Sequence, residues 1–185
     1  IAQQLYPGAD IRISGFEAQR FPDNFFDLVI GNVPFGDYKV HDPQYNKLNF
    51  NIHNYFFAKA IDKVRPGGVL AFVTSHYTLD EVSSSVWQYI SDRADLVGAI
   101  RLPSTAFKQT AGTEVVTDVI FLRKRLPGEK SSGTGWLKSV EQDIRGKTYH
   151  LNQYFVDNPQ MMLGVPALEG TMYDHCCALG LAQIG

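Results

Sequence analysis

Three short apolar runs, FDLVIGN (26–32), VLAFVTS (69–75) and LVGAIRL (96–102), constrain the fold of this chain more than any other feature. Each has the pattern of a strand buried on both faces. Segments of helical period lie between them. NIHNYFFAKAIDKV (51–64) places Ile52, Tyr55 or Phe56, and Ala60 on one face, and RPGG (65–68) ends it. LDEVSSSVWQYISDR (79–93) turns Val82, Val86, Trp87 and Ile90 inward, with Asp80 and Glu81 at the positive end of its dipole. Strand–helix alternation through residue 102 predicts an α/β fold: a mostly parallel sheet with helices on both faces.

The flanking segments are less regular. Residues 1–6 read as a helix end stopped by Pro7-Gly8, and ADIRIS (9–14) alternates like a strand. Residues 37–50 read as a loop. After the loop PSTAFKQTAGTE (103–114), VVTDVIFLRK (115–124) is a fourth strand, pairing with the third as a late antiparallel hairpin at the sheet edge. Residues 126–135 read as a flexible loop, GWLKSV (135–140) as a short strand and YHLNQYFVDNPQMML (149–163) as a short helix and a turn. The tail after Gly164 is expected to be poorly ordered. The division is a catalytic portion at 1–125 and a linker with a C-terminal extension at 126–185. The opening IAQQLY has no initiator Met and reads as the last turns of a helix, as in a piece of a longer polypeptide.

Composition narrows the class. No apolar run approaches the roughly 20 residues that span a bilayer. Cys176 and Cys177 are adjacent, which disfavours a bridge between them, and His175 beside them does not make a metal site. A reducing, cytoplasmic location is expected. Residues 101–150 hold 9 basic and 5 acidic residues, whereas residues 1–100 hold 8 basic and 11 acidic. The basic segment suits a wall of a nucleic-acid groove or a solvated surface. His41, His53, His76 and His150 show no metal spacing and no partnered nucleophile, and read as structural. Arg123, Lys124 and Arg125 read as a solvated strand end.

The stretch DLVIGNVPFG (27–36) carries the chemistry. A buried strand ends in an amide, a proline and an aromatic ring. The exocyclic amine of a nucleobase is a poor nucleophile, because its lone pair is delocalised into the ring. Two rigid acceptors for its hydrogens draw the nitrogen toward tetrahedral geometry and free that pair. Asn32 offers a side-chain carbonyl and Val33 a main-chain carbonyl. Pro34 keeps Val33 extended, which aims that carbonyl, and Phe35 can stack on the base.

In these residues the chain resembles the gamma-type adenine-N6 DNA methyltransferases, whose signature here is Asn-Pro-Pro-Tyr or Phe. SGFE (14–17) precedes the motif; NIHNYFFAKA (51–60), RPGGVLAFVTS (65–75) and AFKQTAGTEVVTDVIFL (106–122) follow it in the family's order. The resemblance covers about residues 9–124. It implies a partial Rossmann-like, S-adenosylmethionine-dependent methyltransferase fold whose first strands are missing. It implies that Asn32 and the Val33 carbonyl bind the N6 amine. Phe35 and Phe107 would stack on the flipped adenine beside Lys108, offsetting the few kcal/mol that extrusion costs. Phe16, Glu17, Phe56 and Asn32 would face the cofactor, S-adenosylmethionine. DNA is the implied substrate, in a restriction-modification setting. Similarity to methylase–helicase fusions of bacterial mobile elements implies a helicase domain in the parent chain.

Val33 stands where the family has its first proline, a change that leaves the carbonyl in place. Glu17 sits one position from the family's usual Asp. The family's glycine-rich cofactor loop and ribose-binding acid are not found, and SSGTG (131–135) reads as a linker. The 185-residue chain by itself is therefore expected not to bind the cofactor measurably. Two other readings stay open: a methyltransferase acting on protein glutamine or RNA guanine N2, and a non-catalytic fragment that binds nucleic acid or a partner.

Overall fold

The central sheet contains β1 (Phe26–Asn32), β2 (Val64–Ser75), β3 (Ala94–Leu102) and β4 (Thr117–Lys124), in the spatial order β1-β2-β4-β3. It is seen in a computed structural model that describes residues 1–81, 85–107, 115–144, 146–167 and 178–180. β1 pairs with β2 in parallel, and β4 runs antiparallel to both β2 and β3. Three strands therefore point one way and the late strand returns, as the sequence predicts. The expected antiparallel edge is corrected. β4 is interior and β3 lies outside it. Val119–Leu122 has no charge to blunt either side of the strand, so both of its hydrogen-bonding edges can be paired.

Helix α2 (Ile52–Lys63) is capped at both ends. The Asn51 side chain accepts from the Asn54 N–H, and Lys124 Nζ donates to the Ile61 and Asp62 carbonyls at 2.9 and 3.1 Å. The single helix expected at 79–93 is corrected: α3 (Tyr77–Asp80) ends where the backbone turns extended at Glu81, which puts Asp80 and Glu81 at its C-terminal end, and α4 (Ser85–Ser91) is a separate helix. Phe57 of α2 meets Phe72 and Trp87 edge-on at 5.1 and 5.2 Å. Around this contact Leu70, Ile90, Ile120 and Leu122 are fully buried, so α2 and α4 share one face of the sheet. Gly68 permits the close approach of β2 to β1, since a Cβ there would lie 2.8 Å from the Asp27 carbonyl.

Two expectations about burial are corrected. β1 is an edge strand, and Leu28 and Ile30 are 54% and 70% exposed on the face away from α2. Among the described residues no helix covers them. An apolar strand pattern shows which side chains avoid water, not whether this stretch of chain provides their cover. ADIRIS (9–14) forms no strand. Ile13 points to solvent and no neighbouring strand offers a ladder, without which alternation has nothing to pair with.

The expected helix at 1–6 is present as α1 (Ala2–Leu5). Beyond β4, β5 (Ser139–Ile144) and β6 (Lys147–Asn152) form an antiparallel ribbon. The helix expected from residue 149 starts only at Gln153, as α5 (Gln153–Asp157), because Asn152 caps it by accepting from the Tyr154 N–H. The ribbon packs on the core. Trp136 meets Trp87 at 5.5 Å, Phe155 is fully buried, and Asn152 Nδ2 donates to the Leu79 and Trp136 carbonyls. Met162 bridges to Arg101 along the outer edge of β3. In the tail, β7 (Val165–Ala167) pairs with β8 (Ala178–Gly180). Cys176, Cys177 and His175 lie outside the described residues. No described helix is long and apolar enough to cross a membrane.

Candidate active site

β1 delivers Asn32 as its last residue, opposite Val73 of β2. The ladder continues one step further, where the Val33 N–H donates to the Val73 carbonyl at 2.9 Å. The Val33 side chain is 2% exposed and belongs to the core, so an apolar anchor fixes the main chain whose carbonyl is left over. Pro34 is half-buried and Phe35 is 45% exposed. Asn32 is exposed, and among the described residues neither its amide nor the Val33 carbonyl has a hydrogen-bond partner. Two acceptors thus stand at the carboxyl end of β1 without hydrogen-bond partners among the described residues.

The N-terminus of α2 holds the next residues. The Ile52 N–H donates to the Tyr38 carbonyl at 2.8 Å, and His53 follows it in the first turn of α2. Burial holds His53 below its ordinary pKa, against the opposing pull of Glu81, the Gly36 main chain and Asp37. His53 therefore has a structural place directly behind the motif.

Phe16, Glu17 and Phe56 form a second group. Phe16 sits in a single 3-10 turn (Phe16–Ala18), and its ring tilts against Phe56 at 4.9 Å and meets Tyr55 edge-on at 6.2 Å. The Glu17 carboxylate folds back over Gly15, where any Cβ would collide with it. Lys59, one turn along α2, is 2% exposed and reaches the main chain of this turn and the Asp42 carboxylate. Sequence reading passed over Lys59, although it falls on the same helical stripe as Tyr55 and Phe56.

The third expected element is the loop after β3. Phe107 is half-buried in a turn closed by the Ala106 N–H on the Pro103 carbonyl, and Lys108 lies outside the described residues. Phe35 and Phe107 make no ring contact among the described residues. The stems of the loop are locked by a buried ion cluster that sequence reading also missed. Arg101 and Asp118 are opposite one another in the β3–β4 ladder, and the guanidinium grips the carboxylate with two 2.8 Å bonds. Asp80 binds the other side of Arg101 at 2.8 Å, the His76 ring lies 3.2 Å from Asp80, and the Phe155 ring lies 4.3 Å from the guanidinium. Burial works against the charge on Arg101, but Asp118 and Asp80 drive its pKa up. Burial pushes Asp118 up, whereas Arg101 and His76 hold Asp80 below the usual carboxylate range despite its burial. A charged Asp118 inside VVTDVIFL was the available signal.

A cavity of about 230 Å³ lies under the 37–50 loop, lined by Lys39, Val40, His41, Tyr45, Asn49 and Phe50 among others. It does not include residues 32–35. Lys124 caps α2, Arg125 binds Asp95 and the Ser91 carbonyl, and Arg123 pairs with Glu129. All three sit at or beyond the Val69 end of β2, away from Asn32. Their internal partners give them structural work. Among the described residues no group of three or more His, Cys, Asp or Glu could hold a metal ion.

Residues 9–102 match the Eco57I restriction-modification methylase family, a little over half of the chain. The chain belongs to this family. It is 33% identical over 130 residues to the defense against restriction protein B of Escherichia phage P1, a match that takes in 67% of this chain. The chain spans about 6% of the length of that curated relative. Among solved structures, it is 23% identical to a Listeria monocytogenes protein described as a class I S-adenosylmethionine-dependent methyltransferase, with a TM-score of 0.47 over 64% of this chain and 37% of that one. It is 26% identical to the EcoKI type I restriction enzyme M protein, with a TM-score of 0.43 over 65% of this chain and 25% of that one.

Proposed function

We propose that this chain is part of a DNA methyltransferase that transfers a methyl group from S-adenosylmethionine to the N6 amine of a flipped adenine. The observation that carries this reading is the pair of uncommitted acceptors, the Asn32 amide oxygen and the Val33 carbonyl, held by β1 beside an exposed Phe35. Membership of a restriction-modification methylase family supports it.

In this reading Asn32 and Val33 accept hydrogen bonds from the two amine hydrogens and localise the nitrogen lone pair. Neither acceptor needs to keep a proton. Phe35 stacks on one face of the base, and Phe107, with Lys108, approaches from the loop after β3. The Phe16–Phe56 pair fits the adenine portion of the cofactor, as an aromatic wall suits a purine, with Glu17 beside it. When bound, the cofactor supplies the activated methyl group. A parent protein that also carries a helicase domain is part of the same proposal.

The test is a methyl-transfer assay with labelled cofactor and duplex DNA, using the full protein that carries this chain. The expected product is N6-methyladenine. Asn32→Ala is expected to lower kcat by about 100-fold or more, the loss typical of removing one positioned transition-state partner. Undiminished N6-methylation by Asn32→Ala would refute the mechanism.

A further inference from the structure

We propose that Lys59 is a positioning residue for the cofactor: its ammonium sets where the Phe16–Glu17 turn stands, and so shapes the wall on which the adenine of S-adenosylmethionine rests. The inference depends on the cofactor reading of Phe16 and Phe56 given above.

Lys59 is in the middle of α2, flanked by Ala58 and Ala60, and almost wholly out of solvent. A cation is withdrawn from water only where partners replace its hydration. Here Nζ lies 2.8 Å from Asp42 Oδ2, 2.8 Å from the Phe16 carbonyl, 3.2 Å from the Tyr55 hydroxyl and 3.4 Å from the Glu17 carbonyl. Balancing Asp42 needs only one of those contacts. The contacts to Phe16 and Glu17 join segments 42 and 43 residues apart in sequence.

The turn depends on this tie. The hydrogen bonds within residues 14–20 are local: Ala18 N–H to the Gly15 carbonyl, Gln19 N–H to the Phe16 carbonyl, Gln19 to Ser14, and Arg20 to the Glu17 and Gln19 carbonyls. Among the described residues, the hydrogen bonds that reach this segment from elsewhere in the chain come from Lys59. No strand ladder supports it. The ammonium also lies 5.0 Å from the centre of the Phe16 ring and 5.7 Å from that of Tyr55, distances at which a cation is attracted to an aromatic face. Asp42 is held in turn, as the Tyr55 hydroxyl donates to the same Oδ2 at 2.8 Å. Lys59 therefore joins the turn, the 37–50 loop and α2 at one point. An ammonium suits that task because its donors radiate in three directions, where a guanidinium holds its donors in one plane.

The experiment uses the full protein that carries this chain. Lys59→Met and the double variant Lys59→Met/Asp42→Asn are compared with wild type for melting temperature, equilibrium binding of S-adenosylmethionine, and KM for the cofactor and for duplex DNA. The double variant leaves no unpaired buried charge, so it separates folding from positioning. Lys59→Met is expected to raise the KM for S-adenosylmethionine about tenfold or more, the scale of losing charge-assisted hydrogen bonds, while the KM for DNA stays within about twofold. In the double variant the melting temperature recovers and the cofactor KM stays high, since the Phe16 and Glu17 carbonyls still lack their donor. Recovery of the cofactor KM together with stability overturns the proposal and leaves Lys59 a purely structural charge. Wild-type methylation with an unchanged cofactor KM in the folded double variant likewise overturns it, while the cofactor reading stands. A wild-type protein that binds no S-adenosylmethionine overturns both.

Discussion

The two most enclosed cations among the described residues, Lys59 and Arg101, are held in opposite ways. Arg101 presents a planar fork to Asp118 across a β ladder and shares itself with Asp80, so one cation meets two carboxylates. Lys59 meets one carboxylate and two main-chain carbonyls that belong to no ladder. The first cluster joins elements already placed by strand pairing and by the packing of the β5–β6 ribbon. The second supports a turn that has no other ladder or helix to place it. A buried charge can therefore reinforce a register that exists or substitute for one that does not.

Arg101→Met should break the contrast most severely. It leaves Asp118 and Asp80 buried without their cation, and a loss of about 3–5 kcal/mol is expected in chemical denaturation. Arg101→Lys keeps the charge without the fork and should recover only part of that loss. Lys59→Met should cost about 3 kcal/mol by stranding Asp42, most of it regained when Asp42→Asn is added. If the two single variants lost equal stability and Lys59→Met/Asp42→Asn failed to recover, the distinction between the clusters would be empty.

Acid pH sharpens the comparison. Burial opposes the charge on Asp42 and Asp80, but Lys59 and Tyr55 for the former, and Arg101 and His76 for the latter, hold each folded-state pKa below the ordinary value. A carboxylate with a depressed pKa adds stability that is present above the unfolded value, near 3.9, and is lost as pH falls through the folded value. The melting temperature should therefore hold from pH 7 to about 5 and fall steeply below about 4. Asp42→Asn should flatten part of that fall; an identical acid limb in the variant would remove Asp42 from the account.

Smaller effects follow at the ribbon and the surface. Asn152→Ala removes two donors to the Leu79 and Trp136 carbonyls and the cap of α5, with an expected cost of about 1–2 kcal/mol in denaturant titration. Arg123→Ala touches only a solvent-accessible pair with Glu129 and should leave the melting temperature unchanged. A measurable shift there would show that the Arg123–Glu129 pair contributes more than a solvent-accessible ion pair does.

Much of the architecture was legible in the residues. The three apolar runs mark β1, β2 and β3, and RPGG stands just past the end of α2. The Asn32–Phe35 motif could be read because its residues are contiguous: a strand end, a prolyl restriction and a ring. Lys59 and Arg101 were not read, because each is defined by partners 17 or more residues away. A lone lysine in FFAKA or aspartate in VVTDVIFL shows that something must neutralise it, but not what. ADIRIS misled for a related reason, as alternation implies a strand only where another strand is present to pair.

Local chemistry alone settled where β1, β2, β3, β4 and α2 form, and that an amide and a prolyl-restricted residue follow one another at the end of β1. Those depend on propensity, period and the covalent restriction of proline, all short-range. Tertiary structure decided that β4 enters the middle of the sheet, that Leu28 and Ile30 stay uncovered, and which buried charges meet. These outcomes depend on long-range contacts, whose free energy exists only once distant segments are already in place.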